Sequence, residues 1–130
     1  IAKPPGAKGY TIHQDFAYLQ ELGLDARRIA NILVCLDHCT PENGAIEFAP
    51  GFHHELLTAP GEVADPDERL FPGFEMATAE PGDLLLFTAL VPHRSGFNRS
   101  GGERRILFLT YACDERDDLY GHSQTVRQSY

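Results

Sequence analysis

The chain has 130 residues, 42% of them hydrophobic and 10% aromatic, and its 19 acidic and 11 basic side chains give a formal net charge of −8. This composition predicts one globular domain and excludes a disordered or fibrous chain. The charge argues against nucleic acid or an anionic membrane as the main partner, because phosphate groups need a basic surface. No apolar run approaches the roughly 20 residues that span a bilayer, so we expect a cytoplasmic protein. Since the chain starts at Ile1, we expect residues 1–130 to be the C-terminal core of a longer protein.

Short strand-like runs, separated by turn residues, dominate the sequence. In chain order the predicted strands are Thr11–Gln14, Ile29–Asp37, Ala45–Phe48, Glu75–Ala79, Asp83–Thr88, His93–Ser95 and Arg105–Cys113. A helical period of apolar residues occurs only near Phe16–Leu24. Glycine and proline at Glu42-Asn43-Gly44 and Glu80-Pro81-Gly82-Asp83 supply the backbone angles that turns require. The pattern predicts an all-β core with a minor helix.

Two of the predicted strands contain uninterrupted apolar runs, at Leu84–Phe87 and Ile106–Leu109. Such runs predict burial on both faces of the strand. Two packed sheets would provide that burial, and closing a double sheet hides strand edges that would otherwise pair with other chains. We therefore predict a jelly roll, that is, a cupin-like double-stranded β-helix. The stretch Phe52–Phe74, rich in Pro, Asp and Glu, predicts a long surface loop that serves as a lid.

His13 and Asp15 are two residues apart on a predicted strand, so both side chains leave the same face and can bind one ion. Such a pair is common by chance. His93 begins a distant short strand and is our candidate for the third ligand. Two imidazoles and one carboxylate on one face of an octahedron suit a borderline divalent metal and leave three positions open.

A second group of polar residues follows the candidate metal ligand His93. Ser95 comes two residues later, and Arg104 and Arg105 stand on the last predicted strand. A guanidinium group holds a carboxylate through two parallel charge-assisted hydrogen bonds, and would anchor a dicarboxylate such as 2-oxoglutarate that reaches back to the metal. Alternation along the strand allows only one of the two arginines to face the pocket.

Five blocks of sequence are specific when they are taken together and in order. They are His13-Gln14-Asp15, Asn43-Gly44-Ala45-Ile46, Pro50-Gly51-Phe52-His53, Pro81-Gly82-Asp83, and His93-Arg94-Ser95-Gly96-Phe97-Asn98 through Arg104. With these blocks the chain resembles the phytanoyl-CoA dioxygenase family of iron(II)/2-oxoglutarate oxygenases, from about Lys3 to Tyr111.

The resemblance implies a double-stranded β-helix and a set of site residues. The implied iron ligands are His13, Asp15 and His93. Arg104 and Ser95 would hold the distal carboxylate of 2-oxoglutarate, and the family's spacing after the second histidine favours Arg104 over Arg105. Asn31 matches a strand position where family members often contact the cosubstrate.

The resemblance further implies an enzyme that uses Fe(II), 2-oxoglutarate and O2 to hydroxylate an unactivated C–H bond of a small-molecule metabolite, releasing succinate and CO2. Related halogenases have a small residue in place of Asp15, so we do not expect halogenation. Arg94 departs from the family, since many relatives have glycine there, and could be a substrate contact or a surface charge. Several relatives also have a lysine cosubstrate contact well before the His-x-Asp pair, which would lie outside this chain.

Two other functions stay open. A redox-neutral cupin would use the metal for isomerase or lyase chemistry, or would bind a ligand, without 2-oxoglutarate. It has no need of a carboxylate clamp such as Arg104 with Ser95. An inactive scaffold that binds a ligand or partner is disfavoured by the intact triad. The sequence indicates neither the substrate nor the oligomeric state.

The remaining histidines and cysteines have plainer interpretations. A zinc site at Cys35 and Cys39, with His38 between them, would lack a fourth ligand and would interrupt a strand-like run. We expect all three cysteines to be reduced and buried. They are Cys35, Cys39 and Cys113. We expect His53 and His54 at the pocket wall, and His38 and His122 on the surface. The aromatic side chains of Phe16 and Tyr18 either line the pocket or belong to the core.

Overall fold

The structure, a computed structural model, describes residues 1–57 and 71–113. It contains seven strands: β1 (Ala2–Lys3), β2 (Ile29–Cys35), β3 (Ile46–Phe48), β4 (Glu75–Met76), β5 (Leu84–Thr88), β6 (His93–Ser95) and β7 (Arg104–Ala112). Three short 3-10 helices occupy Asp15–Tyr18, Gln20–Leu22 and Ala26–Arg28. Within these two ranges no helix has the length and apolar character needed to cross a membrane.

The strands form two antiparallel sheets. The larger sheet has the order β1-β7-β2-β5, and the smaller sheet has the order β4-β3-β6. An isolated bridge between His13 and His93 adds one residue pair at the free edge of β6. Crossovers between sequence-distant strands, such as β2 beside β7, give the predicted jelly roll, which is confirmed.

The main core lies between the two sheets. Leu33, Cys35 and Ile106 from the larger sheet pack with Ala45 and Ile46 from the segment of β3. Partly buried aromatic and leucine side chains complete this cluster, namely Phe48, Leu85, Phe87 and Phe108. Close packing of both inner faces fixes the separation of the sheets, and therefore the position of any residue that projects between them.

The prediction that both apolar runs are buried on both faces is wrong. Leu84 and Leu86 are 64% and 72% exposed, and Leu107 is 47% exposed. Successive residues of a strand point to opposite faces, so only the alternate members, such as Leu85 and Phe87, reach the core. The outer faces of β5 and β7 remain open among the described residues.

The predicted minor helix near Phe16–Leu24 is confirmed as a helical segment, which consists of two 3-10 helices separated at Leu19 and not of one α-helix. Its backbone hydrogen bonds join residues three apart, as from Leu19 N–H to the Phe16 carbonyl at 3.0 Å. Gly23, with φ of +65°, ends the second helix. The apolar spacing therefore reports burial against Ile29 and Ala89 rather than an α-helix.

Two further differences concern strands at the start of the chain. The predicted strand Thr11–Gln14 is reduced to the single bridge at His13. Strand β1 was not predicted, because two residues are too few to show an alternating pattern. It pairs with β7 through Ala2 opposite Arg105 and Lys3 opposite Arg104.

The predicted lid, Phe52–Phe74, lies largely outside the described residues, which omit 58–70. Its two ends are described and are anchored. Three aromatic side chains from these ends pack against Ile12 and Ala49: Phe52, Phe71 and Phe74. Phe71 is fully buried, so the stretch begins and ends on a small apolar cluster of its own.

Candidate metal centre

The structure brings the three predicted metal ligands together. One ligand atom from each of His13, Asp15 and His93 lies within 4.8 Å of the other two, and among the described residues this is the one such group. A pair of backbone hydrogen bonds of 3.0 and 2.9 Å joins His13 to His93 and places their side chains next to each other. Asp15 follows two residues later, at the start of the first 3-10 helix.

Backbone carbonyls orient both imidazole rings. Nδ1 of His13 lies 2.7 Å from the Thr11 carbonyl, and Nδ1 of His93 lies 3.0 Å from the Val91 carbonyl. A carbonyl only accepts, so each Nδ1 carries the hydrogen and donates it; in a neutral imidazole with this tautomer the lone pair is on Nε2. Each Nε2 is 3.7 Å from an oxygen of Asp15.

Burial lowers the pKa of His93 below its usual range, against the opposing effect of the Asp15 carboxylate. The ring is therefore neutral at physiological pH, which is the form that binds a metal. Phe87 and Phe48 pack beside this imidazole, with ring centroids 5.1 and 6.1 Å away, and exclude water from its far side.

Asn31 lies next to the metal ligands. It is fully buried on β2, and its Nδ2 donates a hydrogen bond of 2.7 Å to Oδ2 of Asp15. Its Oδ1 accepts a hydrogen bond of 2.9 Å from the hydroxyl of Thr110. The expectation that Asn31 contacts a cosubstrate stays a prediction, and its contact with Asp15 was not foreseen.

The structure separates the two neighbouring arginines. Arg104 is 2% exposed and faces inward, and its Nε and Nη1 have no hydrogen-bond partner among the described residues. Arg105 faces outward, where its Nε lies 2.8 Å from Oδ2 of Asp37 in a surface ion pair. An inward guanidinium with unpartnered nitrogens is unusual, because buried charges are normally paired.

Lys3 is a further site residue, which sequence reasoning missed. It is 2% exposed, and its Nζ donates to Ser95 Oγ at 2.9 Å and to the Gly96 carbonyl. Burial, and then the nearby charge of Arg104, lower the pKa of Lys3 to about 8. Lys3 lies opposite Arg104 in the pairing of β1 with β7. A two-residue strand is too short to predict that pairing, so the one signal in the sequence was a lysine just before Pro4-Pro5.

Ser95 stands between this lysine and the histidines. Its Oγ accepts hydrogen bonds from Lys3 Nζ at 2.9 Å and from the Tyr10 backbone N–H at 3.1 Å. A hydroxyl oxygen has two lone pairs, so both are used and the O–H remains available as a donor. Hydrogen-bond donors and positive charge therefore lie close together at Ser95, Lys3 and Arg104.

The three candidate metal ligands share one cavity of about 700 Å³ with Ser95 and Arg104, the two residues that Lys3 lies beside. Its polar lining includes His13, Asp15, His93, Ser95 and Arg104. A smaller cavity of about 410 Å³ shares His13 and Asp15 and is bounded by Tyr18, whose ring meets that of His13 edge to face at 6.4 Å. Phe16 instead packs against the buried cluster of Leu19, Ile29 and Ala89 and belongs to the core. Tyr18 therefore lines a pocket and Phe16 does not.

Several other polar residues lie away from this cavity. His53 and His54 are exposed, with ring centroids 4.0 Å apart, and line neither cavity, so the predicted pocket-wall position is wrong. His38 is on the surface as predicted and pairs with Glu80 at 2.8 Å. His122 lies outside the described residues. Arg94 is different, because it lines the larger cavity, where it forms an ion pair of 2.8 Å with Glu47 and stacks over an aromatic ring.

The cysteines form no metal site among the described residues. Cys35 and Cys39 are buried with their sulfurs 3.7 Å apart, and burial raises the pKa of the Cys35 thiol to about 11. Both are free thiols, as predicted. Cys113 is free but exposed, contrary to prediction, because it follows the last residue of β7 at the end of the sheet.

Comparison with known proteins shows which family this chain is similar to. A sequence profile described as Phytanoyl-CoA dioxygenase (PhyH) matches residues 1–106. The methylphosphonate hydroxylase of Gimesia maris is 32% identical over 124 residues, which cover 90% of this chain and 44% of that protein. The chain therefore spans less than half the length of this curated relative.

Two solved structures show the same fold. The crystal structure of EctD from S. alaskensis with bound Fe has a TM-score of 0.75 and 30% identity, and the match covers 86% of this chain and 42% of that chain. The structure of the same protein with 2-oxoglutarate and 5-hydroxyectoine has a TM-score of 0.73 and 28% identity, over 86% of this chain and 41% of that chain. With most of its length matched by the family profile, the chain belongs to the phytanoyl-CoA dioxygenase family.

Proposed function

We propose that this chain forms the core of an Fe(II)- and 2-oxoglutarate-dependent dioxygenase that hydroxylates an unactivated C–H bond of a small molecule and releases succinate and CO2. One observation supports this proposal above the others. A group of two histidines and one carboxylate opens into the same cavity as Arg104, a buried arginine with no anionic partner among the described residues.

The donor set fits iron(II). Two neutral imidazole nitrogens and one carboxylate oxygen, with open positions beside them, are the ligands typical of non-haem iron oxygenases. Residues His13, Asp15 and His93 would hold the ion. The hydrogen bonds from each Nδ1 to a backbone carbonyl fix the direction of each Nε2 before the metal arrives. A relative of this chain, EctD, has been solved with bound Fe.

The cationic group fits a carboxylate of 2-oxoglutarate. Arg104 offers two unpartnered nitrogens, Lys3 adds a second positive charge, and Ser95 has an O–H that remains available to donate. Two buried cations side by side repel each other, and a bound carboxylate would remove that repulsion. EctD has also been solved with 2-oxoglutarate.

When bound, the iron and cosubstrate would supply the oxidising chemistry, and the protein's residues would control binding and access. Arg104 and Lys3 would orient the cosubstrate, while Phe48 and Phe87 keep water from one side of the His93 ring. The substrate would enter beside Tyr18 and His13, where the smaller cavity adjoins the metal ligands.

We propose a small-molecule substrate and a cytoplasmic location. The relative that acts on methylphosphonate is named as a hydroxylase of a small molecule. The location is supported by the sequence, whose three cysteines are an odd number spread over apolar segments and suit reduced thiols better than a disulfide framework.

Anaerobic titration of the full-length protein tests this proposal. Fe(II) is added first and its binding measured, and 2-oxoglutarate is then added while the visible spectrum is recorded. We expect a weak metal-to-ligand charge-transfer band as the cosubstrate chelates the ion. Bound iron without this band would overturn the oxygenase function and favour a redox-neutral cupin.

A further inference from the structure

Three polar groups form a chain that ends at the metal carboxylate. The hydroxyl of Thr110 donates to Asn31 Oδ1 at 2.9 Å, and Asn31 Nδ2 donates to Asp15 Oδ2 at 2.7 Å. Asn31 and Thr110 lie opposite each other in the register of β2 and β7. Asn31 has no exposed surface, so packing holds its amide in place.

The direction of each hydrogen bond follows from the chemistry of the groups. An ionised carboxylate only accepts, so the amide nitrogen of Asn31 must face Asp15. The amide oxygen of Asn31 then faces Thr110, and the hydroxyl must donate to it. The orientation of the amide is therefore fixed by its two neighbours.

This arrangement matters because a carboxylate can bind a metal through one oxygen or through two. A six-coordinate ion with two histidines and one carboxylate oxygen keeps three positions for other ligands. If the carboxylate of Asp15 turned to use both oxygens, one of those positions would be lost. A hydrogen bond that occupies Oδ2 opposes that rotation.

We propose that Thr110 and Asn31 form a hydrogen-bond relay that holds Asp15 so that it binds the metal through a single oxygen. This inference rests on the metal site of the proposed function. Both are positioning residues, because they act on the metal through Asp15. Hydrogen-bond partners of metal ligands generally affect metal affinity by about 10- to 100-fold.

Binding of Co(II) to the full-length protein tests the relay, since its visible absorption depends on coordination number. We expect Asn31→Leu to weaken Co(II) binding by about 10- to 100-fold and to change the spectrum. Thr110→Val, which removes the hydroxyl at an exposed residue and preserves its shape, should act in the same direction with a smaller effect. Thr110→Ser keeps the hydroxyl and should behave as the unmodified protein.

The double variant distinguishes a relay from two separate effects. In a relay, Thr110→Val adds nothing once Asn31→Leu is present, because the hydroxyl acts only through the amide. Additive losses would overturn the relay, and so would unchanged affinity and spectrum in Thr110→Val. Circular dichroism of each variant without metal shows whether it has folded, and Thr110→Val decides the matter if Asn31→Leu does not fold.

Failure of the relay and failure of the proposed function give different experimental results. A protein that binds Co(II) but shows no charge-transfer band with Fe(II) and 2-oxoglutarate would lose the proposed oxygenase function, while the relay would still be measured. A protein that binds neither metal would overturn both proposals.

Discussion

Lys3 and Arg104 lie opposite each other on neighbouring strands β1 and β7, and each is only 2% exposed. Two cations at this depth destabilise the protein unless an anion lies between them or one loses its proton. The pKa of Lys3, lowered to about 8, is consistent with that repulsion. We therefore expect the pair to make the affinity for the proposed cosubstrate depend on pH.

The affinity for 2-oxoglutarate should fall as the pH rises through about 8, because Lys3 then loses the charge that attracts the carboxylate. With one proton involved, the fall is at most about tenfold per pH unit. Isothermal titration of the iron-free protein, or of the iron-loaded protein under anaerobic conditions, would measure it. Lys3→Met should bind more weakly and lose this pH dependence. A Lys3→Met variant with the original pH profile would contradict the role of Lys3.

The same lysine has the opposite effect on stability without ligand. Its pKa is about 8 when folded and near the ordinary 10.5 when unfolded, so between these values the unfolded chain binds more protons. The contribution of Lys3 to the free energy of unfolding should therefore rise with pH across that window. Denaturant unfolding of the protein and of Lys3→Met, compared at pH 7.5 and 10, isolates this contribution, since other groups titrate in both.

Asp15 and Arg104 should have separable roles. Replacing Asp15 by Ala removes one of the three proposed metal ligands and should lower Fe(II) affinity by more than about 100-fold. The lower bound is the free energy lost when a hydrogen bond to a charged group is removed, since a metal–ligand bond contributes more. Replacing Arg104 by Met should leave Fe(II) binding intact and weaken 2-oxoglutarate by about 10- to 100-fold. Arg105→Met is the matched control, since its side chain pairs with Asp37 on the surface. Equal effects of Asp15→Ala and Arg104→Met on both ligands would refute this division.

Gln14 should contribute strongly to stability although it lies between two metal ligands. It is fully buried; its Nε2 donates to the carbonyls of Glu55 and Leu90 at 2.8 and 2.6 Å, and its Oε1 accepts from Leu57 N–H at 2.7 Å. Gln14→Leu leaves these backbone groups unpaired, and should lower the free energy of unfolding by about 1–3 kcal/mol or more.

Chemical denaturation measures the effect of Gln14→Leu, and Gln20→Leu is its control. Gln20 is exposed, and its side chain donates a single hydrogen bond among the described residues, to the Ala17 carbonyl, so its replacement should change stability by less than about 0.5 kcal/mol. Equal effects of the two substitutions would show that the bonds of Gln14 contribute nothing beyond those of an exposed side chain.

Gly44 should tolerate no side chain. Its φ is +73°, and an added Cβ would meet the carbonyl group of Gly96 and come within 3.1 Å of Lys3 Nζ. Gly51 has a similar φ of +86° but open space around it, so Gly51→Ala carries the backbone strain alone, about 1–2 kcal/mol. Gly44→Ala should be clearly more destabilising in thermal unfolding, and should also weaken 2-oxoglutarate. A Gly44→Ala variant no worse than Gly51→Ala would mean that the Gly96 turn moves freely.

The sequence predicted the parts of the site that depend on local spacing. The two-residue spacing predicted that His13 and Asp15 would meet, and they do, although through the bridge at His13 and the first 3-10 helix and not through a strand. His93–Ser95 forms the strand that was expected. The family's spacing favoured Arg104 over Arg105, and the structure indeed directs Arg104 inward. These features depend on neighbours along the chain, which a sequence shows directly.

Features that depend on distant pairing were missed. Lys3 joins the site only because β1 lies beside β7, across about a hundred residues of sequence. Thr110 reaches Asn31 through the register of β2 and β7. Asn31 reaches Asp15 because the first 3-10 helix packs beside β2. The apolar spacing of Phe16–Leu24 indicated a helical segment but not its type, because contacts with the core decide that it forms two 3-10 helices.

The open leucines of β5 and β7 have a practical consequence for handling the protein. Leu84, Leu86 and Leu107 are exposed on the outer face of the larger sheet, and exposed apolar side chains of this kind bind other hydrophobic molecules. A preparation of these 130 residues alone should bind fluorescent dyes that report exposed apolar surface, and should aggregate as its concentration rises. Leu86→Lys should reduce both without affecting His13, Asp15 or His93, because Leu86 lies on the outer face of its strand.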